Sequence, residues 1–142
     1  MPELPEVETV RRGIEPHVLG RRIERVVVRD PRLRWPVQAD LSARLAGRRI
    51  EYAGRRAKYL VLGLDNEDRL LIHLGMSGRL WVLQPQQPVI KHDHLDLELD
   101  SRSLLRFHDP RRFGAVLLWP REQPGHELID HLGPEPFDAD FD

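Results

Sequence analysis

No cysteine occurs in the 142 residues. That excludes disulfides, a Cys-ligated zinc site and a thiol nucleophile within this chain. Long apolar runs are missing too, and none approaches the roughly 20 residues that a membrane-spanning helix needs. The start, Met1-Pro2-Glu3, lacks a basic stretch followed by an apolar one, so no secretory signal is expected and a cytosolic location is the default. There is no internal repeat and no low-complexity segment. A surplus of either charge is nearly absent, the formal net charge being −1. As a single figure this speaks against a nucleic-acid partner. Lysine is scarce, with only Lys58 and Lys91.

What is present changes the reading of charge. Residues 122–142 hold seven acids (Glu122, Glu127, Asp130, Glu135, Asp138, Asp140 and Asp142) and no Lys or Arg. Setting those aside leaves 22 basic residues facing 16 acids over residues 1–121, a balance of +6. Arg outnumbers Lys ten to one. Arg suits bidentate recognition of phosphate and base edges better than Lys does, although a GC-rich coding sequence yields the same ratio. The acidic tail, with His131-Leu132-Gly133-Pro134-Glu135-Pro136 and no clear period, reads as a linker or an interaction segment. The length fits one domain of ordinary size or one lobe of something larger, and suffices for a core of its own.

Residues 5–19 read as a helix. Pro5 fits its first turn, and Val7, Val10, Ile14 and Val18 recur at spacings of three and four. Arg11 and Arg12 fall off that stripe. Pro16 puts the last turn in doubt, and Gly20 is a reasonable stop. The period then shifts towards two. Strands are expected at 23–29, 49–53, 59–64, 70–74, 79–83, 94–99, 103–108 and 114–119, with a short helix over 40–46 capped by Asp40 and closed by Gly47. The run His94-Leu-Asp-Leu-Glu-Leu99 alternates like a half-buried strand. The expected fold is mainly β: an antiparallel β-sandwich or flattened barrel of about eight strands, with an N-terminal α-helix and a second short helix.

Chemistry concentrates first at the N-terminus. Removal of Met1 would leave Pro2 with a free secondary amine, and an α-amino group has a pKa of roughly 8, so part of it is neutral and nucleophilic near pH 7. A secondary amine attacking a sugar carbon yields an iminium, an electron sink. Glu3 beside it could move protons during ring opening, or it could simply complement the dipole of the helix that follows.

Six blocks together resemble bacterial formamidopyrimidine-DNA glycosylase: MPELPEVETVRRG (1–13), RRAKYL (55–60), HLGMSG (73–78), KHDHLD (91–96), DPRRFG (109–114) and HLGPEPF (131–137). They run in order and at family-like spacing. The start reads MPELPE rather than the MPEGPE of the related endonuclease VIII branch. The resemblance implies base-excision repair: excision of oxidised purines such as 8-oxoguanine and formamidopyrimidines, followed by strand cleavage at the abasic site. By the match, Pro2 is the nucleophile that forms a Schiff base, Glu3 handles protons at the sugar, and Lys58 serves β-elimination and phosphate contact. Glu6 matches a further acid near the site, without an assigned role.

The match also makes 109–114 the family's wedge loop. Extruding a base leaves a hole in the stack and costs a few kcal/mol, part of which an apolar wedge and a donor to the orphaned base recover. Phe113 would unstack the neighbouring base, Arg111 would bond the orphaned cytosine with Arg112 beside it on the DNA, and Met76 would fill the vacated space. Met76 between two glycines and Phe113 between Arg112 and Gly114 are turn contexts rather than strand interiors. His73 and His92 match phosphate-contacting positions. His92-Asp93-His94 also has the His-x-His spacing of some β-sheet zinc sites, but strand alternation accounts for His94 and nothing nearby completes a ligand set, so no metal is expected. Asp93 and Asp109 read as turn and capping residues.

The resemblance covers a catalytic domain over 1–133 and the start of an interlobe linker over 134–142. The family's second lobe, a helix–two-turn–helix element with a four-cysteine zinc finger, has no counterpart here. The expected partner is therefore damaged double-stranded DNA, with no membrane and no cofactor in this chain; the family's members are monomers, which leaves the oligomeric state of this chain open, and the expected location is cytoplasmic, associated with the bacterial nucleoid. Without the second lobe, DNA binding should be weak and activity impaired. A non-catalytic DNA-binding or interaction fragment is the alternative, and an exposed apolar interlobe surface would accompany it.

Overall fold

The computed structural model describes residues 4–123. Its order is α1 (Leu4–Val18), β1 (Ile23–Val28), α2 (Leu41–Leu45), β2 (Ile50–Arg56), β3 (Tyr59–Leu64), β4 (Arg69–His73), β5 (Arg79–Leu83), β6 (Asp93–Leu99), β7 (Leu104–His108) and β8 (Ala115–Trp119). The strands form two four-stranded sheets, β1-β6-β7-β5 and β2-β3-β4-β8. Every pairing is antiparallel. The sheets stay separate, so the sandwich expectation holds and the barrel does not.

One core lies between the sheets. It takes Leu60, Leu62, Ile72 and Val116 from one sheet and Leu95, Leu97, Leu105 and Phe107 from the other. The helices close its ends with Val7, Ile14, Val18, Leu41 and Leu45. The opposite face of β3 carries Tyr59 and Val61, which join Leu71 and Trp119 in a second cluster. Both faces of β3 are thus covered, which is why it reads as an unbroken apolar run.

α1 buries the expected stripe, and Pro16 stays inside it. Pro16 is on the exposed side, where the carbonyl left without a partner can meet water. Gly20 ends the segment at φ 75° and donates to the Ile50 carbonyl instead. Arg11 departs from expectation: it is only 4% exposed. Glu8 at 2.7 Å and Glu15 at 3.3 Å neutralise it, and it donates to the Ala53 carbonyl at 3.1 Å. Burial of a guanidinium is tolerable when it is paired in this way. Hydrogen bonds from Arg11, joined by Arg12 and Arg55, hold Glu8 down to about 2. This knot fastens α1 to β2 and so fixes the end of the helix that follows Pro2 and Glu3 in sequence.

Two further expectations change. Asp40 precedes α2 but makes no side-chain capping bond; its carboxylate accepts from Gln38 at 2.7 Å. And β6 is buried on both faces rather than one, because on the face away from the core Arg106 and Arg29 cover Asp96.

Candidate nucleic-acid interface

Several of the singled-out residues sit on two loops that meet at one rim of the sandwich. The first, residues 74–78, connects β4 to β5; the second, 109–114, connects β7 to β8. They touch backbone to backbone. Gly75 adopts φ 66°, and a Cβ there would lie 2.8 Å from the Gly114 nitrogen and from the Phe113 carbonyl carbon. A Cβ on Gly114 would lie 2.5 Å from the His73 carbonyl oxygen. Only glycine permits both approaches.

Asp109, fully buried, is the fastener. Its Oδ1 accepts from the Ser77 hydroxyl at 2.9 Å and its Oδ2 from the Gly114 amide at 2.8 Å. His94 Nε2 donates to its carbonyl at 2.7 Å, and its own amide donates to the His92 carbonyl. The structural role expected for Asp109 is therefore what it performs. Asp93 is structural too, accepting from the Ile90 amide at 2.7 Å and from His108 Nδ1 at 2.8 Å.

Against this rigid backing two apolar side chains stand in solvent: Met76 is 54% exposed and Phe113 44%. Arg111 is exposed as well, its guanidinium 5.0 Å from the centre of the Phe113 ring. Arg112 behaves differently. It has φ 59°, and its side chain turns back onto the protein, 2.7 Å from Asp30 and 2.8 Å from the Arg32 carbonyl. His92, at φ 73°, is half-buried just before β6. Partial burial and the adjacent Lys91 charge lower its pKa.

His73 ends β4 only 7% exposed, packed edge-on against Tyr59 at 4.9 Å between ring centres. Burial, helped by the charges of Arg34 and Lys58, takes its pKa down to about 4. At neutral pH the ring is uncharged. The Gly75 amide donates to Nδ1 at 3.0 Å, so the proton sits on Nε2, making that nitrogen a hydrogen-bond donor. Lys58, half-buried, occupies the two-residue turn between β2 and β3 in which Ala57 takes φ 54°. Burial raises Tyr59, opposed by Arg34. Arg34 was not singled out from sequence. Nothing local marks it among twenty arginines except its neighbour Trp35, over which it lies at 4.7 Å.

Pro2 and Glu3 lie outside the described residues, as does the linker assigned to 134–142. Glu6, in the first turn of α1, lines a cavity of about 410 Å³ together with Thr9, Val10, Leu74, Leu80 and Trp81. A larger hollow, about 460 Å³, lies away from this rim beside Arg25, Asp96 and Arg106 and includes none of the singled-out residues. Among the described residues no group of acidic and histidine side chains is arranged to hold a metal, and no helix is long and apolar enough to cross a membrane.

Comparison with known proteins bears on this rim. Residues 1–116 match the formamidopyrimidine-DNA glycosylase N-terminal domain. The formamidopyrimidine-DNA glycosylases of Laribacter hongkongensis and Thioalkalivibrio sulfidiphilus are 57% and 59% identical over all 142 residues. The chain spans about half the length of these curated relatives, 52% of each. Among solved structures, Lactococcus lactis Fpg in complex with a FAPY-dG-containing DNA superposes with a TM-score of 0.80 at 34% identity, covering 92% of this chain and 48% of that one.

Proposed function

We propose, from the premise that this chain belongs to the formamidopyrimidine-DNA glycosylase family, that it is the catalytic half of a base-excision repair enzyme. In this reading it removes oxidised purines from duplex DNA and cleaves the resulting abasic site. The observation that carries the reading is the rim itself: Met76, Arg111 and Phe113 held out in solvent on two loops locked together at Asp109. Exposed apolar side chains on rigid backbone suit insertion into a base stack.

The chemistry begins once Met1 is removed. The Pro2 nitrogen attacks the anomeric carbon, the bond to the damaged base breaks, and the departing base takes a proton. Glu3 serves the sugar oxygen as the ring opens to the iminium. Loss of a proton from the neighbouring carbon sends its electron pair towards the iminium nitrogen as an enamine; return of that pair forms a carbon–carbon double bond to the next carbon and expels the 3′ phosphate with the electrons of its C–O bond. Lys58 and the neutral His73, whose Nε2–H is a donor at pH 7, suit the flanking phosphates. Arg34, which acts on both Tyr59 and His73, adds positive charge on the same side. Arg111 supplies donors for the orphaned base. Lys58, His73 and Arg34 supply a small number of phosphate contacts, so DNA binding by these 142 residues should be modest and its salt slope correspondingly shallow.

Borohydride reduction in the presence of an abasic-site duplex tests the reading. A covalent adduct is expected with the Met-free chain at low salt, and Pro2→Gly should lose most of it. Mass measurement confirms Met removal beforehand. Absence of any adduct from Met-free protein that nonetheless binds the duplex would leave a binding module without catalysis.

A further inference from the structure

Arg112 sits between the two residues that point outward, Arg111 and Phe113, yet points inward. Its φ of 59° is one that non-glycine residues seldom adopt, so surrounding contacts must hold it there. The ends of the loop are fastened without it, by Asp109 at one side and by the Gly114 carbonyl, which accepts from the Arg34 amide at 3.1 Å, at the other. The apex has another anchor. Arg112 Nη2 lies 2.7 Å from Asp30 Oδ2, and Nη1 donates to the Arg32 carbonyl at 2.8 Å.

Asp30 is a fixed platform for that purpose. The amides of Arg29 and Asp30 both donate to the His94 carbonyl, at 2.8 and 3.3 Å, which ties this segment to the start of β6. Arg32 grips the same carboxylate through Nε and Nη2, each at 2.9 Å. These two arginines, Arg32 first, hold the Asp30 carboxyl far below the usual carboxylate range.

We propose that Asp30 is a positioning residue for duplex insertion: by holding the Arg112 guanidinium against the 30–34 segment, it sets the direction in which Arg111 and Phe113 leave the loop. This rests on the wedge reading above. The two bonds at Arg112 draw the middle residue inward, and its flanking neighbours are turned out together, ring beneath guanidinium.

The test uses Asp30→Asn and Asp30→Glu in the 142-residue chain, with two readouts. One is 15N relaxation of the 111–113 amides in the free protein. The other is fluorescence of 2-aminopurine placed beside a tetrahydrofuran abasic analogue, read at saturating protein. Asp30→Asn should loosen the 111–113 amides and lower the saturated fluorescence about twofold or more, since the signal follows the fraction of loops in the inserting orientation. Affinity should hold or rise, because the lost charge repelled phosphate. Asp30→Glu, which keeps the carboxylate, should restore most of both signals. Wild-type relaxation and fluorescence in Asp30→Asn would overturn the proposal. A wild-type chain that binds without any fluorescence change overturns insertion, and the relaxation arm then decides the brace alone.

Discussion

Asp96 and Asp30 each hold two arginines, one bidentately and one through a single oxygen. Asp96 takes Arg106 at 2.9 and 3.0 Å and Arg29 at 2.8 Å. Asp30 takes Arg32 at 2.9 Å twice and Arg112 at 2.7 Å. The groups and distances match; the surroundings do not. Asp96 and Arg106 are 1% and 3% exposed, whereas Arg32 is 79% exposed. On the face of its sheet turned away from the core the pair fills a cross-strand position, Asp96 opposite Arg106 on β6 and β7. Burial alone would raise the Asp96 pKa, but hydrogen bonds from Arg106 and Arg29 hold it below the ordinary value. At the rim the same chemistry is wet, and its use is directional. Solvent exposure thus separates a cluster on which folding depends from one that aims a loop.

The most severe way to break the comparison is Asp96→Ala. Leaving Arg106 buried without its bidentate partner, with Asp93 at 3.8 Å as the remaining carboxylate, should cost about 3–5 kcal/mol, while Asp96→Leu with Arg106→Met should recover most of it. Urea midpoints check both. A loss below about 1 kcal/mol for the single variant would mean that the buried cluster is no more demanding than an exposed pair.

A smaller effect isolates burial from pairing. His73 is buried neutral with its pKa down to about 4, against 6.5 when unfolded. The unfolded chain therefore binds more protons between those values. The stabilisation is complete above pH 6.5 and is lost as pH falls through 4, on the order of 3 kcal/mol in total. Denaturation of wild type and His73→Gln at pH 7 and pH 4.5 should show a steeper acid loss in wild type; parallel losses would remove burial of His73 as its source.

Least in magnitude is the response of the two clusters to salt. Raising sodium chloride to about 0.5 M, where screening acts within several ångströms of exposed charges, should loosen the Arg112 side chain and leave Arg106 as it was. Side-chain 15N relaxation of the two guanidinium groups reads this directly. Equal responses would show that exposure does not divide them.

The strands were largely legible because turn residues and apolar periodicity are local signals. Tyr59–Leu64 and Arg79–Leu83 were expected to within the residue. What escaped was set by distant partners. Asp96 alternates like a solvent-facing residue, and Arg106 on the next strand together with Arg29 explains its burial. Arg11 sits off the apolar stripe of α1 by type, not by position, and the acids one turn to either side let it in. Met76 and Phe113 were legible as exposed because glycine neighbours mark turns. Arg34 and Asp30 were not, since their meaning lies in the distant loop they face, at Gly114 for the one and Arg112 for the other. Pro2 and Glu3 rest on the family match alone.

The joint at Asp109 has a consequence for inheritance and redesign. One carboxylate bonds Ser77 of one loop and Gly114 of the other, and neither Gly75 nor Gly114 has room for a methyl group. The loops are therefore a single exchangeable module. A graft between relatives that moves residues 74–78 must carry 109–114 with it, because either half alone arrives without the socket into which it was cut.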